Sequence, residues 1–275
     1  MKKNLSIAVI FLLLSLITNA QKINNKIPFD IRLETMEIND FPALQSFAYA
    51  TWQDKWLLIG GRIDGLHRKQ PWASFNVEGL NKYIYVVDPV KKLVWKQSLQ
   101  QFPLSIQEQL QSTNMEFFQV ENNLILTGGY GYSKTNNDHI TYPNLTVIKI
   151  KETINAIINN QPLTNMIVQI KDERMAITGG RLAKTGDTLL LAGGQRFDGM
   201  YNPMGPDHGP GFTQQYSNEI RKFTIAYDNN LPVITGYSAI KDSINLHRRD
   251  YNLVPQVFKN DELGYTMFSG VFQYN

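Results

Sequence analysis

An all-β fold of repeated antiparallel sheets is predicted by three features of this 275-residue chain. Short apolar runs end in a glycine pair at three places: Trp56-Leu-Leu-Ile-Gly-Gly61, Leu124-Ile-Leu-Thr-Gly-Gly129 and Leu189-Leu-Leu-Ala-Gly-Gly194. The pairs recur about every 65 to 70 residues, as expected of an array built from one supersecondary unit. Each pair also follows a second strand-like run across a polar turn, the layout of a β-hairpin. In such an array, function belongs to whatever varies between units.

The amino terminus comes first in chain order. Lys2 and Lys3 precede an uncharged apolar stretch from Leu5 to about Ile17, and Thr18-Asn19-Ala20 supplies small residues before Gln21. This is the charge, apolar and cleavage-site order of a signal peptide over 1–20. The stretch is short for a membrane span, which needs about 20 residues; a retained anchor helix is the alternative reading. Nothing later is apolar enough to cross a bilayer, so the mature chain is expected to have no membrane span. The product is then secreted, periplasmic or on the bacterial cell surface. The chain has no cysteine, which excludes a lipoprotein anchor, disulfide staples, thiol nucleophiles and thiolate metal sites. The formal charge of +3 includes the two leader lysines. No run of Lys and Arg marks a nucleic-acid surface.

Within the remaining 21–275, each unit reads alike. First strands are expected at Phe47 to Thr51, Met115 to Val120 and Met175 to Thr178, with turns at Gln53-Asp54, Glu121-Asn122-Asn123 and Lys184-Thr185-Gly186-Asp187. The apolar run and glycine pair follow, then a polar loop of variable length. A third run starts at an asparagine in each unit: Asn81, Asn144 and Asn218. Its apolar alternation fits a strand only moderately well. In the first unit Asp88-Pro89-Val90-Lys91-Lys92 turns into a fourth run, Leu93-Val-Trp95. Tyr251 to Phe258 and Tyr265 to Phe272 read as the first two strands of a fourth unit, with Ser269-Gly270 where the pair belongs. Asp30 to Ile38 reads as an outer strand preceding the first unit.

Four antiparallel strands repeated around an axis describe propeller blades. The hydrophobic run, glycine pair, loop, Asn-led strand and late tryptophan resemble the kelch-repeat family. The first unit matches throughout, with Leu57 to Gly61, Asn81, Tyr85, Asp88 and Trp95; the second and third lack the tryptophan. The resemblance implies a kelch-like β-propeller with about three and a half blades present, over 43–100, 111–160, 172–230 and, in part, 247–275. Complete propellers have typically 4 to 8 blades. The expectation is therefore an incomplete chain, with a four-bladed ring ending in a partial blade as the alternative.

Chemistry is sought in the loops after the glycine pairs, which occupy one topological position. Two share a detail, Arg62-Ile63-Asp64-Gly65 and Arg196-Phe197-Asp198-Gly199. Arg62, Asp64, Arg196 and Asp198 read either as a pocket rim for carboxylates or sugar hydroxyls, or as local ion pairs beside Asp-Gly turns. His67, His139 and His208 also fall in these loops, without the local spacing of a metal site. Tyr201 and His208 belong to a loop stiffened by three prolines, which is a binding candidate or a packed cover. Arg248 belongs to His247-Arg248-Arg249-Asp250, which either lines a central channel and meets an anion or, through Arg249 and Asp250, only ties neighbouring units together. No nucleophile elbow, phosphate-binding loop or zinc-protease motif occurs.

Two functions remain open. The favoured expectation is a non-catalytic module that binds a protein or carbohydrate through these loops, with no cofactor. The alternative implied by the resemblance is a carbohydrate-active enzyme of the sialic-acid mutarotase type, which needs no metal. The related galactose-oxidase-like copper chemistry depends on a cysteine that this chain lacks.

Overall fold

The computed structural model describes residues 29–66, 68, 70–205, 207–209 and 211–271. The expected signal peptide and His67 lie outside the described residues. The chain divides into compact units 1–37 and 38–275. In the first, residues 29–37 carry no strand or helix and expose Ile31 and Leu33. The strand expected there does not form, because its backbone groups have no ladder partner among the described residues.

The second unit is all-β. Strands β1 (Ala48–Trp52), β2 (Lys55–Ile59), β3 (Tyr83–Asp88) and β4 (Leu93–Ser98) form a first antiparallel sheet in that order. A short helix, α1 (Leu104–Leu110), leads to β5 (Thr113–Val120), β6 (Asn123–Ser133), β7 (Asp138–Thr141) and β8 (Asn144–Lys149). Helix α2 (Ile150–Ile158) precedes β9 (Ile167–Lys171). The second sheet has the order β5-β6-β8-β9, with β7 paired to the far end of β6. Next come β10 (Arg181–Thr185), β11 (Thr188–Ala192), β12 (Gln195–Gly199), β13 (Phe212–Tyr216), β14 (Glu219–Asp228) and β15 (Leu231–Lys241). The third sheet is β10-β11-β14-β15, and β12 and β13 make a separate hairpin in its long loop. Strands β16 (Asn252–Val257) and β17 (Leu263–Phe268) form a two-stranded fourth sheet.

The apolar runs place the sheets face to face. On β6, Leu124 and Leu126 join one core cluster with Leu57, Ile59, Ile84 and Val86 of the first sheet. Ile125, between them, joins another with Leu182, Leu189, Leu191 and Phe223 of the third. Successive side chains leave a strand on opposite faces, so the second sheet is sandwiched between its neighbours. Ile150, Ile154 and Ile157 give α2 an apolar stripe that packs into the first cluster.

One set of backbone contacts makes all three junctions between successive sheets. Just before or at the start of each first strand stands a residue with positive φ: Ser46 (54°), Asn114 (53°), Gly179 (70°) and Asp250 (54°). These corners are joined in series. Asn114 N donates to Ser46 O (3.1 Å), Gly179 N to Asn114 O (3.5 Å) and Asp250 N to Gly179 O (2.8 Å). The second glycine of each pair supplies the other bond: Gly61 N to Ser112 O (2.8 Å), Gly129 N to Ile177 O (3.0 Å) and Gly194 N to Arg248 O (2.8 Å).

The asparagine signal has a narrower meaning than the sequence suggests. Asn81 Nδ2 donates to Gly60 O at 3.0 Å. The matching carbonyls, Gly128 O and Gly193 O, accept instead from Gln109 of α1 (3.2 Å) and from Ser217 Oγ (2.7 Å). Asn144 is the first residue of β8 and Asn218 immediately precedes β14, and neither takes this role.

Candidate functional site

The four corners converge on a cavity of about 620 Å³. Ser46, Asn114, Gly179 and Asp250 all line it, as do the residues just before them, Gln45, Thr113, Thr178 and Arg249. Each of those preceding residues pairs with the residue after a glycine pair or its counterpart: Gln45 with Arg62, Thr113 with Tyr130, Thr178 with Gln195, and Arg249 with Val271. Arg62, Tyr130 and Gln195 line the cavity too. Equivalent positions of successive units thus build one wall.

That register separates the two look-alike loops. Arg62 directly follows Gly61, whereas Gln195 follows Gly194 and Arg196 stands one residue further on. A one-residue offset on a strand turns a side chain to the other face. Arg196 accordingly lies on a second cleft, of about 600 Å³, with Arg221, Glu219 and Lys241. Its Nε donates to Asp198 Oδ2 (2.6 Å) and its Nη1 to Glu173 Oε2 (3.0 Å). Asp198 Oδ1 accepts from Thr141 N at 3.0 Å, so this carboxylate ties β12 to β7.

Arg62 is nearly fully buried, at 3% exposure. Its Nε donates to Asp64 Oδ1 (2.8 Å), and its Nη2 donates to Asp64 Oδ2 (2.6 Å) and Asn76 O (2.9 Å). Burial opposes the charge on Asp64, but the Arg62 guanidinium wins and holds this carboxyl below its ordinary value. Nη1 of Arg62 is buried without a hydrogen-bond partner among the described residues. The guanidinium lies over the Phe75 ring, 5.2 Å from its centroid.

An aromatic wall stands beside it. Phe75, at φ 54°, meets Tyr130 edge-on at 5.3 Å, and Tyr130 meets Phe197 at the same separation. Phe197 stacks on Phe212 at 4.8 Å. Tyr130 Oη donates to Gly199 O (2.7 Å) and accepts from Tyr201 N (3.0 Å). His139 Nε2 lies 2.9 Å from Phe75 O. Burial pushes the His139 imidazolium below its usual range, so the neutral ring carries its proton on Nε2 and donates it to that carbonyl.

Of the eight residues expected from sequence, Arg62 and Tyr201 line the cavity. Asp64 orients Arg62. Arg196 and Asp198 serve the other cleft and the β7–β12 tie. His208 is exposed and outside the cavity wall, and His67 is not described. Arg248 Nη1 donates to Met267 O at 3.2 Å, and its stem packs on Gly270; it braces the fourth sheet. Asn202 shapes the loop after Tyr201 by donating from Nδ2 to Gly205 O (2.6 Å) and accepting from Met204 N (2.9 Å).

Sequence reasoning missed Arg181 and the corners. Arg181 lines the cavity, is exposed, and donates from Nη1 to Gly180 O at 3.0 Å. It makes no salt bridge among the described residues, whereas Arg62 pairs with Asp64 and Arg249 with Asp250. Gly179-Gly180, a pair on the opposite side of the unit, was the available signal for it. Among the described residues no three His, Cys, Asp or Glu are grouped to hold a metal ion, and no helix is long and apolar enough to cross a membrane. Neither a family model nor a curated protein matches the chain.

Proposed function

We propose that the sheets are blades of a kelch-like β-propeller and that the corner cavity binds a small acidic carbohydrate outside the cytoplasm. Repetition of one junction supports the propeller reading, since a single operation applied three times arranges sheets about a common axis. The cavity volume, about 620 Å³, falls in the range of small-ligand pockets rather than of flat protein-docking surfaces. The observation that carries the acidic ligand is Arg181, a cation on the cavity wall with no carboxylate partner among the described residues. The aromatic wall gives a sugar ring a flat apolar surface, and Gln45, Asn114 and Gln195 offer amides to its hydroxyls.

Calorimetric titration of the chain with N-acetylneuraminate tests this. A charge-assisted hydrogen bond contributes about 1.5–3 kcal/mol, so Arg181→Met is expected to weaken binding roughly 10- to 100-fold. A neutral N-acetylhexosamine should respond little to the same substitution. Equal affinity in the variant, or no binding by the unaltered chain, removes the reading.

Mutarotation is the second reading, and Asp250 favours it. Ring opening needs a proton taken from the anomeric hydroxyl and one given to the ring oxygen. Asp250 sets a carboxylate on the cavity wall beside Arg249, where it can take the first and, as the carboxylic acid so formed, hand that proton on to the ring oxygen. Anomer exchange followed by NMR should then exceed the spontaneous rate and fall to it in Asp250→Asn. An unaccelerated rate leaves binding alone.

A further inference from the structure

Glu116 is a carboxyl with no assigned task at the junction of the second and third sheets. It lies on β5 and is 1% exposed. Its Oε1 accepts from Gly180 N at 2.8 Å. Its Oε2 has no hydrogen-bond partner among the described residues. The groups acting on it are Arg181 of the third sheet, which favours its charge, and Asp250 of the fourth corner, which opposes it. Tyr251 also faces it, with its hydroxyl engaged as a donor to Ala192 O. The partners on β6, Thr127 and Gly128, are uncharged. An ionised carboxylate here would keep one buried oxygen without a donor among the described residues, which is strongly unfavourable. Burial therefore outweighs the Gly180 N–H and Arg181 and pushes the Glu116 carboxyl well above its ordinary range.

We propose that Glu116 is a positioning residue of the cavity: its neutral carboxyl fixes the Gly179-Gly180-Arg181 corner and, carrying no charge, leaves Arg181 to an anionic ligand. The ligand half of this rests on the acidic-carbohydrate reading above. Ionisation of Glu116 would set a negative charge beside Arg181 and weaken the hold on an anion. By linkage, a bound anion draws a proton onto Glu116, so affinity falls as pH rises through its titration.

The test pairs NMR with binding. The carboxyl carbon of Glu116, assigned by its disappearance in Glu116→Gln, should titrate with a midpoint well above the ordinary glutamate range; a midpoint within or below that range overturns the proposal. In the ligand-free protein, Glu116→Gln keeps an acceptor for Gly180 and should leave the Gly180 and Arg181 amide signals in place. Glu116→Ala should move them, and unmoved signals refute the positioning role. Where the Ala variant does not fold, the Gln variant decides through its pH profile. N-acetylneuraminate affinity of the unaltered chain should fall up to about tenfold per pH unit above the Glu116 midpoint, while the Gln variant stays flat. Parallel profiles overturn the coupling. Absence of sugar binding at every pH sinks the acidic-carbohydrate reading and the coupling with it, while the carbon and amide signals still decide whether Glu116 is neutral and holds the corner.

Discussion

Gly128 stands so close to the third sheet that a Cβ built on it would lie 1.7 Å from Ile177 O. Its φ of 63° is a second barrier, because left-handed backbone disfavours any side chain by about 1–2 kcal/mol. Gly186, at φ 56°, has nothing within 4 Å of the same position. The two glycines therefore separate close approach from backbone geometry. Gly186→Ala should cost about 1–2 kcal/mol in urea unfolding. Gly128→Ala should cost about 1–3 kcal/mol more, from overpacking against a backbone that cannot move aside. Equal losses would mean that the junction tolerates a methyl group. At this same scale the arginines mark where sequence reading stopped. Arg62-x-Asp64 and Arg196-x-Asp198 look identical, and both pair locally. Only the count from the glycine pair, one residue against two, sends them to different clefts.

Helix α2 is the element with the clearest energetic role. Ile154 is 1% exposed and sits in the cluster that joins the first two sheets. Ile154→Ala removes most of that side chain from a packed site, and a loss of about 2–5 kcal/mol in denaturant unfolding is expected. A loss below about 1 kcal/mol would show that the helix is an appendage. Its apolar spacing at Ile150, Ile154 and Ile157 was legible in the sequence, yet the repeat pattern drew attention to strands alone. The weak alternation along β3 has a physical cause as well. Ile84, Tyr85, Val86 and Val87 are all buried, because the first sheet has apolar neighbours on both faces. A strand covered on both sides has no reason to alternate.

For the molecule as a whole, the three glycine pairs and the hairpins of the first two units were readable because hydrophobic runs and turn residues are local signals. In the third unit the expected first strand, Met175 to Thr178, instead starts at the end of a short 3-10 turn and makes one isolated bridge at Thr178. The strand that pairs with β11 is β10, Arg181–Thr185, beyond the Gly179-Gly180 corner. The junction was not readable, because it is made by backbone atoms. Ser46, Asn114, Gly179 and Asp250 are four different residue types brought to one left-handed φ. They stand the same distance ahead of the glycine pair in the first three units, a regularity that residue types conceal. Half of the cavity wall was hidden with them, while the loop half, through Arg62 and Tyr201, was visible. Joining successive units through amide and carbonyl groups also divides the labour between inheritance and adaptation. The main chain preserves the stacking whichever corner residue is present, so substitutions among serine, asparagine, aspartate and glycine can change the chemistry of the cavity wall without redesigning its frame.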